Sequence, residues 1–278
     1  MSYMRSANQD ISGQPLVSIV TIVLNGEKDI RQTMESVLGQ SYKKVEYIVI
    51  DGGSTDNTID ILQQYDAQLT FWASRPDKGI SDAFNKGIRQ ARGEIIGLLN
   101  AGDWYELDAV QYVVEAFRKE KEAGVVCGAL QFWKGKNRAY LCRSVPRLLE
   151  RDMTVTHPTC FVRAELYGHF GIFSEKYTLA MDYELLLRFK KNGVIFVTLD
   201  RVLANMRHDG VSEKNWQAAL QETHSARKHM LENSIFATEF YYFYLVLKRR
   251  IRLGLERLGW EGVLRFYRHR IALVKKTK

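Results

Sequence analysis

The chain has 278 residues, 46% of them hydrophobic, enough for one large domain with a substantial core. Its three cysteines, Cys127, Cys142 and Cys160, form no CxxC and no paired spacing, which argues against a disulfide scaffold or a cysteine-rich zinc site. The formal net charge of +8 is local: residues 248–278 hold eleven Lys/Arg against Glu256 and Glu261, so the rest of the chain is close to neutral and any attraction to acidic partners belongs to the tail.

Residues 1–14 lack the apolar centre of a signal peptide and read as a loose lead-in. VSIVTIVL at 17–24 is a β-branched run suited to a strand buried on both faces. A helix is predicted over 27–38, with Ile30, Met34, Val37 and Leu38 on one side. A second strand over 45–50 ends at DGGSTDNT, whose Asp, Gly, Ser and Asn residues make a turn and cap a helix continuing through 60–65. Residues 69–73 read as a third strand. In DKGISDAFNKGIRQARGE, Ile80, Ala83, Phe84, Gly87, Ile88 and Ala91 fall at helical spacing. That leaves Asp82, Asn85 and Arg89 on another face, free to reach a ligand. A fourth strand occupies 94–99, and the alternation through residue 130 predicts a parallel α/β sheet with right-handed crossovers. Ligands of such sheets gather beyond the carboxyl ends of the strands, where Thr21, Asn25, Asp51, Asn100 and Asp103 fall.

Past residue 130 the pattern is mixed. TVTHPTCFVRAELY predicts a loop, a strand and the start of a short helix. LAMDYELLLRFKKNG is a helix with Leu185, Leu186 and Phe189 inward and Gly193 as its stop. VIFVTL is a further strand, and MRHDGVS a turn into a helix over 213–231. In the tail, Phe240, Phe243, Tyr244, Leu247, Ile251, Leu255 and Leu258 keep helical spacing opposite Arg249, Arg252 and Glu256. Trp260, Leu264, Tyr267, Ile271 and Val274 repeat the pattern beside Arg265, Arg268 and Lys275. An apolar stripe with a basic face reads as a helix lying on an anionic membrane; packing on the body or on a second subunit is the alternative. FYYFYLVL falls far short of the roughly 20 apolar residues that span a bilayer. Three regions follow: the lead-in 1–14, a body 15–234 and a tail 235–278.

Four segments, VSIVTIVLNGEKDIRQTMESVLGQSYKKVEYIVIDGGSTDNT, DKGISDAFNKGIRQARGE, LLNAGDWY and MDYELLLR, occur in that order between about residues 15 and 215. Together they resemble the inverting family 2 glycosyltransferases, whose GT-A fold is an α/β nucleotide-binding sheet, mostly parallel and flanked by helices. The resemblance implies a nucleotide-sugar donor, UDP-sugars foremost, and an acceptor glycan or polyprenyl-diphosphate-linked sugar. It also implies a divalent cation, Mn²⁺ or Mg²⁺, and work in surface polysaccharide assembly (O-antigen, capsule or exopolysaccharide) on the cytoplasmic, inner face of the cell membrane. Homo-oligomers fit this setting; nucleic acid is not an expected partner.

By position, Thr21, Asn25 and Asp51 would line the nucleoside pocket, although relatives often carry two aspartates where this chain has Asp51–Gly52. Lys78, Asp82 and Asn85 come from a segment diagnostic of a subgroup. A cation at 78, near a helix start, would help hold diphosphate, while Asp82 suits sugar hydroxyls, because two anions repel. The LNAGDWY turn usually holds an acidic pair whose first member binds the cation. Here that place falls on Gly102, leaving Asp103 and the amide of Asn100. His208 sits where some relatives place a further metal or phosphate contact, and an imidazole there would favour manganese. Inversion needs one carboxylate to take a proton from the acceptor hydroxyl, and Asp182 matches the family's base position. His157, in THPTCF, is expected on the acceptor side. Two competing readings are a sugar nucleotidyltransferase, whose glycine-rich basic signature VSIVTIVLNGEKD lacks, and a non-catalytic membrane or nucleic-acid binder driven by the tail.

Overall fold

A computed structural model describes residues 13–207, 215–231, 235–257, 260 and 276–277. Strands β1 (Val17–Val23), β2 (Val45–Asp51), β3 (Phe71–Ser74) and β4 (Ile95–Asn100) run parallel in the order β4-β1-β2-β3. Every residue of β1 is buried, as its unbroken β-branched run predicts for a central strand covered on both faces.

The two faces are covered by different helices. On one, Val20, Ile22, Ile48 and Leu98 pack with α3 (Ile80–Gln90), α5 (Ala164–Phe170) and α6 (Met181–Lys191). On the other, Val17, Ile19, Val49 and Leu99 pack with α1 (Ile30–Leu38), α2 (Thr58–Gln64) and α4 (Ala109–Lys119). The result is a helix–sheet–helix sandwich.

Beyond β4 the sheet changes character. Strand β8 (Phe161–Arg163) lies antiparallel between β4 and β6 (Ala123–Lys134). Strand β7 (Asn137–Arg143) folds back on the second half of β6 as a hairpin, and Lys276–Thr277 (β10) add to its outer edge. Strand β9 (Ile195–Arg207) runs parallel to β6 and also pairs with the short β5 (Trp104–Tyr105). It takes in Met206 and Arg207, which the sequence placed in a turn.

Two more helices, α7 (Trp216–Met230) and α8 (Ile235–Arg257), pack in series, α7 on α6 and α8 on α7. Leu245 of α8 is buried, whereas Phe240, Phe243, Tyr244, Leu247 and Ile251 are exposed. No described helix is long and apolar enough to cross a membrane. Tail residues 258–259 and 261–275 lie outside the described residues, as does His208.

Candidate active site

The loops after β1 and β2 are laced together. Asn25 sits at φ 51°, a left-handed conformation that asparagine tolerates better than most residues. Its side-chain oxygen accepts from the Thr55 amide at 2.8 Å, and its own amide donates to the Ser54 hydroxyl at 2.7 Å. Beside it, the Gly26 amide donates to the Thr58 hydroxyl at 2.9 Å.

Asp51 ends β2 fully buried. It accepts from the Gly53 and Ser54 amides, both at 2.9 Å, from the Ser74 hydroxyl at 2.6 Å, and from the Ser54 hydroxyl. Its carboxylate therefore builds the loop from within. Thr21 differs from its expected place. It is wholly buried, two residues short of the end of β1, and its hydroxyl accepts from the Tyr47 phenol at 3.0 Å. The alternation of β1 turns it towards the α1 face of the sheet, away from solvent.

Gly52 stands in the place of the second of the paired aspartates, with the Asp77 side chain beside it. A Cβ on this residue would collide with the carboxylate of Asp77. Asp77, which sequence reasoning passed over, thus brings an acid into the space beside position 52, and its Oδ1 accepts from the Gly79 amide at 2.8 Å. A carboxylate two residues before a glycine is an Asx-turn pattern that could have flagged it.

The segment that follows divides its roles. Lys78 is exposed, with its ammonium 3.9 Å from Glu175. Asp82 accepts from the Lys78 amide at 3.1 Å and pairs with Lys86 at 3.0 Å; the Lys86 bond holds its carboxyl below the usual range. Asn85 is not free to reach a ligand. It is buried, its amide nitrogen donates to the Phe173 carbonyl at 2.9 Å and its oxygen accepts from the Phe173 amide at 2.9 Å. The buried side of α3 includes Ser81 and Asn85 together with Phe84 and Ile88, because a second layer of chain covers it.

The turn after β4 brings the next group together. Gly102 has φ 98°, its amide donates to the Thr33 hydroxyl at 3.0 Å, and that hydroxyl donates to the Asp103 carbonyl at 2.7 Å. Asp103 is buried and its Oδ2 has no hydrogen-bond partner. Burial pushes its carboxyl up to about 7; the half-buried Asn100 side chain works against the rise and the charge of Asp182 adds to it. Asp182 lies in the first turn of α6, and its Oδ1 is buried without a hydrogen bond, although the side chain as a whole is 34% exposed. Burial raises its pKa above the ordinary aspartate value, and His157 opposes the rise.

His157 is buried rather than open, its Nδ1 3.5 Å from Asp182 Oδ1. Its ring meets Phe84 and Phe173 edge-on, with centroids 5.9 and 5.8 Å away. Glu184 turns aside to pair with Arg188 at 2.8 Å. The structure therefore gathers Asp103, Asp182 and His157 from three separate stretches of chain.

Arg207, at the end of β9, was also missed. Its guanidinium pairs with Asp29, donates to Gln32 at 2.6 Å and lies 5.8 Å above the Trp104 ring. Asp29 borders the turn, for a Cβ on Gly102 would stand 3.8 Å from the Asp29 Cβ. Among the described residues no three His, Cys, Asp or Glu side chains converge as a metal cage. The unpaired Oδ2 of Asp103 still suits a single bond to a hard cation.

Comparison with known proteins shows the family and the fold. An uncharacterized glycosyltransferase of Mycobacterium tuberculosis is 30% identical over 183 residues, 64% of this chain and 70% of its own. The chondroitin synthase of Escherichia coli is 40% identical over 195 residues, 64% of this chain but 27% of the larger enzyme. Among solved structures, a mannosyltransferase from Pyrobaculum calidifontis, in complex with GDP-Man and Mn²⁺, superposes with a TM-score of 0.66 at 17% identity, covering 91% of this chain and 81% of its own. S. aureus TarS 1–349 in complex with UDP-GlcNAc gives 0.61 at 17% identity, covering 93% and 76%. These two show a shared GT-A fold. The profile of glycosyl transferase family 2 matches residues 18–177, more than half of the chain, and the protein belongs to that family of glycosyltransferases.

Proposed function

We propose that the protein is an inverting hexosyltransferase, with Asp182 as the base, that extends a glycan or a polyprenyl-diphosphate-linked sugar in surface polysaccharide assembly. The observation that carries this reading is the meeting of two carboxyl groups from separate elements, buried Asp103 at the turn after β4 and part-exposed Asp182 at the head of α6, each with a buried oxygen that has no hydrogen-bond partner. In the reaction Asp182 takes the proton of the acceptor hydroxyl while that oxygen attacks C1 of the donor sugar. The C1–O bond to the diphosphate breaks on the opposite face, and the nucleoside diphosphate leaves with the bonding pair. No covalent enzyme intermediate is needed. Its raised pKa makes Asp182 a better proton acceptor than a solvated aspartate, and His157 sits close enough to steady its charge.

Asp103 would hold a divalent cation through its unpaired oxygen, with diphosphate oxygens and water completing the shell. When bound, such a cation offsets the charge growing on the leaving diphosphate. UDP-sugars are the leading donors, in keeping with the relatives solved with UDP and UDP-GlcNAc. Polymer synthesis is favoured by the likeness to chondroitin synthase and to the poly-beta-1,6-N-acetyl-D-glucosamine synthase of Staphylococcus epidermidis. The exposed apolar stripe of α8, set among Lys248, Arg249 and Arg250, would rest on the inner face of the cell membrane, where lipid-linked acceptors lie.

The test is Asp182→Asn, assayed with UDP-, GDP- and dTDP-sugars with and without Mn²⁺. Transfer should fall by ~100-fold or more while donor affinity stays within about twofold. A variant that transfers sugar at the native rate would remove Asp182 from the mechanism.

A further inference from the structure

Helix α6 begins without a cap of its own. Its N-cap residue is Ala180, which has no side chain able to bond the open amides, and no cap hydrogen bond is made. A side chain of α7 instead holds the three residues that lead into the helix. Glu222 accepts from the Leu179 amide at 2.7 Å, from the Ala180 amide at 2.9 Å, and from the Thr178 amide and hydroxyl at 2.9 and 2.7 Å. Four donors from three consecutive residues thus converge on one half-buried carboxylate. Burial alone would raise its pKa, and the bonds from Leu179, Ala180 and Thr178 outweigh that, holding it below the usual glutamate value. The carboxylate that ties down this turn stays ionised.

Asp182 stands two residues beyond that turn. Its Oδ1 makes no hydrogen bond, and His157 Nδ1 lies 3.5 Å from it. Where the backbone of α6 begins helps to set the position of that oxygen, and Glu222 holds the three residues just before the helix, next to the Ser81 hydroxyl that donates to the Tyr177 carbonyl at 3.1 Å.

We propose that Glu222 is a positioning residue for transfer: by gathering the amides of Thr178, Leu179 and Ala180 from the neighbouring helix, it sets the distance between Asp182 and the acceptor hydroxyl. This rests on the reading of Asp182 as the base. Proton abstraction depends steeply on such placement, whereas donor binding, carried by the loops after β1, β2 and β4, does not pass through this contact.

Glu222→Ala and Glu222→Gln in the full-length protein test it, by kcat, donor KM, direct UDP-sugar binding and thermal unfolding. The alanine variant should lose roughly 10- to 100-fold in kcat with donor KM within about twofold, because misplacement of this size costs rate and not affinity. Glutamine keeps one carbonyl oxygen for the amides and should fall between alanine and the native enzyme. A purely structural role predicts a lower melting temperature with native kcat per folded molecule, and that result would overturn the proposal. Should the alanine variant not fold, the glutamine variant decides on the same split of kcat from KM. Asp182→Asn run in parallel separates the two readings. If it is active, the base assignment fails and the positioning role goes with it; if it is inactive while Glu222→Ala is unimpaired, the positioning role alone fails.

Discussion

At Gly102 the backbone takes a φ of 98°, where a side chain brings strain of about 1–2 kcal/mol even though nothing crowds the space. In this backbone conformation an acid at position 102 would carry that strain. The carboxyl pKa of Asp103 is pushed up to about 7, and that of Asp182, the base in our proposal, is raised as well. A base works only when ionised, and burial raises the pKa of this one, so activity should rise with pH along a limb lying above the ordinary aspartate range. His157 opposes that rise, so His157→Ala should move the limb further up in pH. A profile of kcat/KM against pH for both enzymes checks this; a limb unmoved by the substitution would separate His157 from the base. Asp103 and Asp182 were legible because each stands in a short motif with its own local structure. Asp77 was not, since its relation to Gly52 spans two loops that touch only in three dimensions.

Among the elements, α3 shows what spacing can and cannot tell. Of the predicted stripe, Ala83, Phe84, Gly87 and Ile88 are buried, whereas Ile80 at the start of the helix is exposed and Ala91 is half-buried. Periodicity sorts polar from apolar, so Asn85 fell on the open side, yet its amide clamps the backbone of Phe173, 88 residues on. Asn85→Ala would strand a buried N–H and a buried C=O, at a total of roughly 2–4 kcal/mol. Urea unfolding should show that loss, with donor affinity of the folded protein unchanged; a large loss of affinity at native stability would instead make Asn85 a ligand contact. Strand β9 was cut short for a related reason. Asp200 and Arg201 are exposed and break the apolar run, while backbone pairing continues on past them along β6. That β1 to β4 exist and run parallel needed only local pattern; their order, with β4 beside β1, was not read from the sequence. The insertion of β8 between β4 and β6 joins residues far apart in sequence, and no window of the chain encodes it.

On the scale of the whole molecule, the last described helix carries a cluster of exposed large apolar side chains together with five of the eleven Lys/Arg of the tail. Helix α8 turns Leu245 and Tyr241 inward, the latter under Arg227 at 4.5 Å, and presents Phe240, Phe243, Leu247 and Ile251 outward. If that face meets lipid, the native protein should float with vesicles rich in anionic lipid, and Phe243→Glu with Leu247→Glu should abolish flotation while leaving the fold intact. Equal flotation of both would defeat the membrane reading. The core beneath is continuous: Val20, Ile50 and Phe84 share one apolar cluster with Leu185, Leu186 and Phe189 of α6. No working half-enzyme can be cut from this chain, for severing the two portions leaves each with an open hydrophobic wall. A shared interior of this kind melts as one cooperative unit, so a donor bound at one end lends its stabilisation to the other.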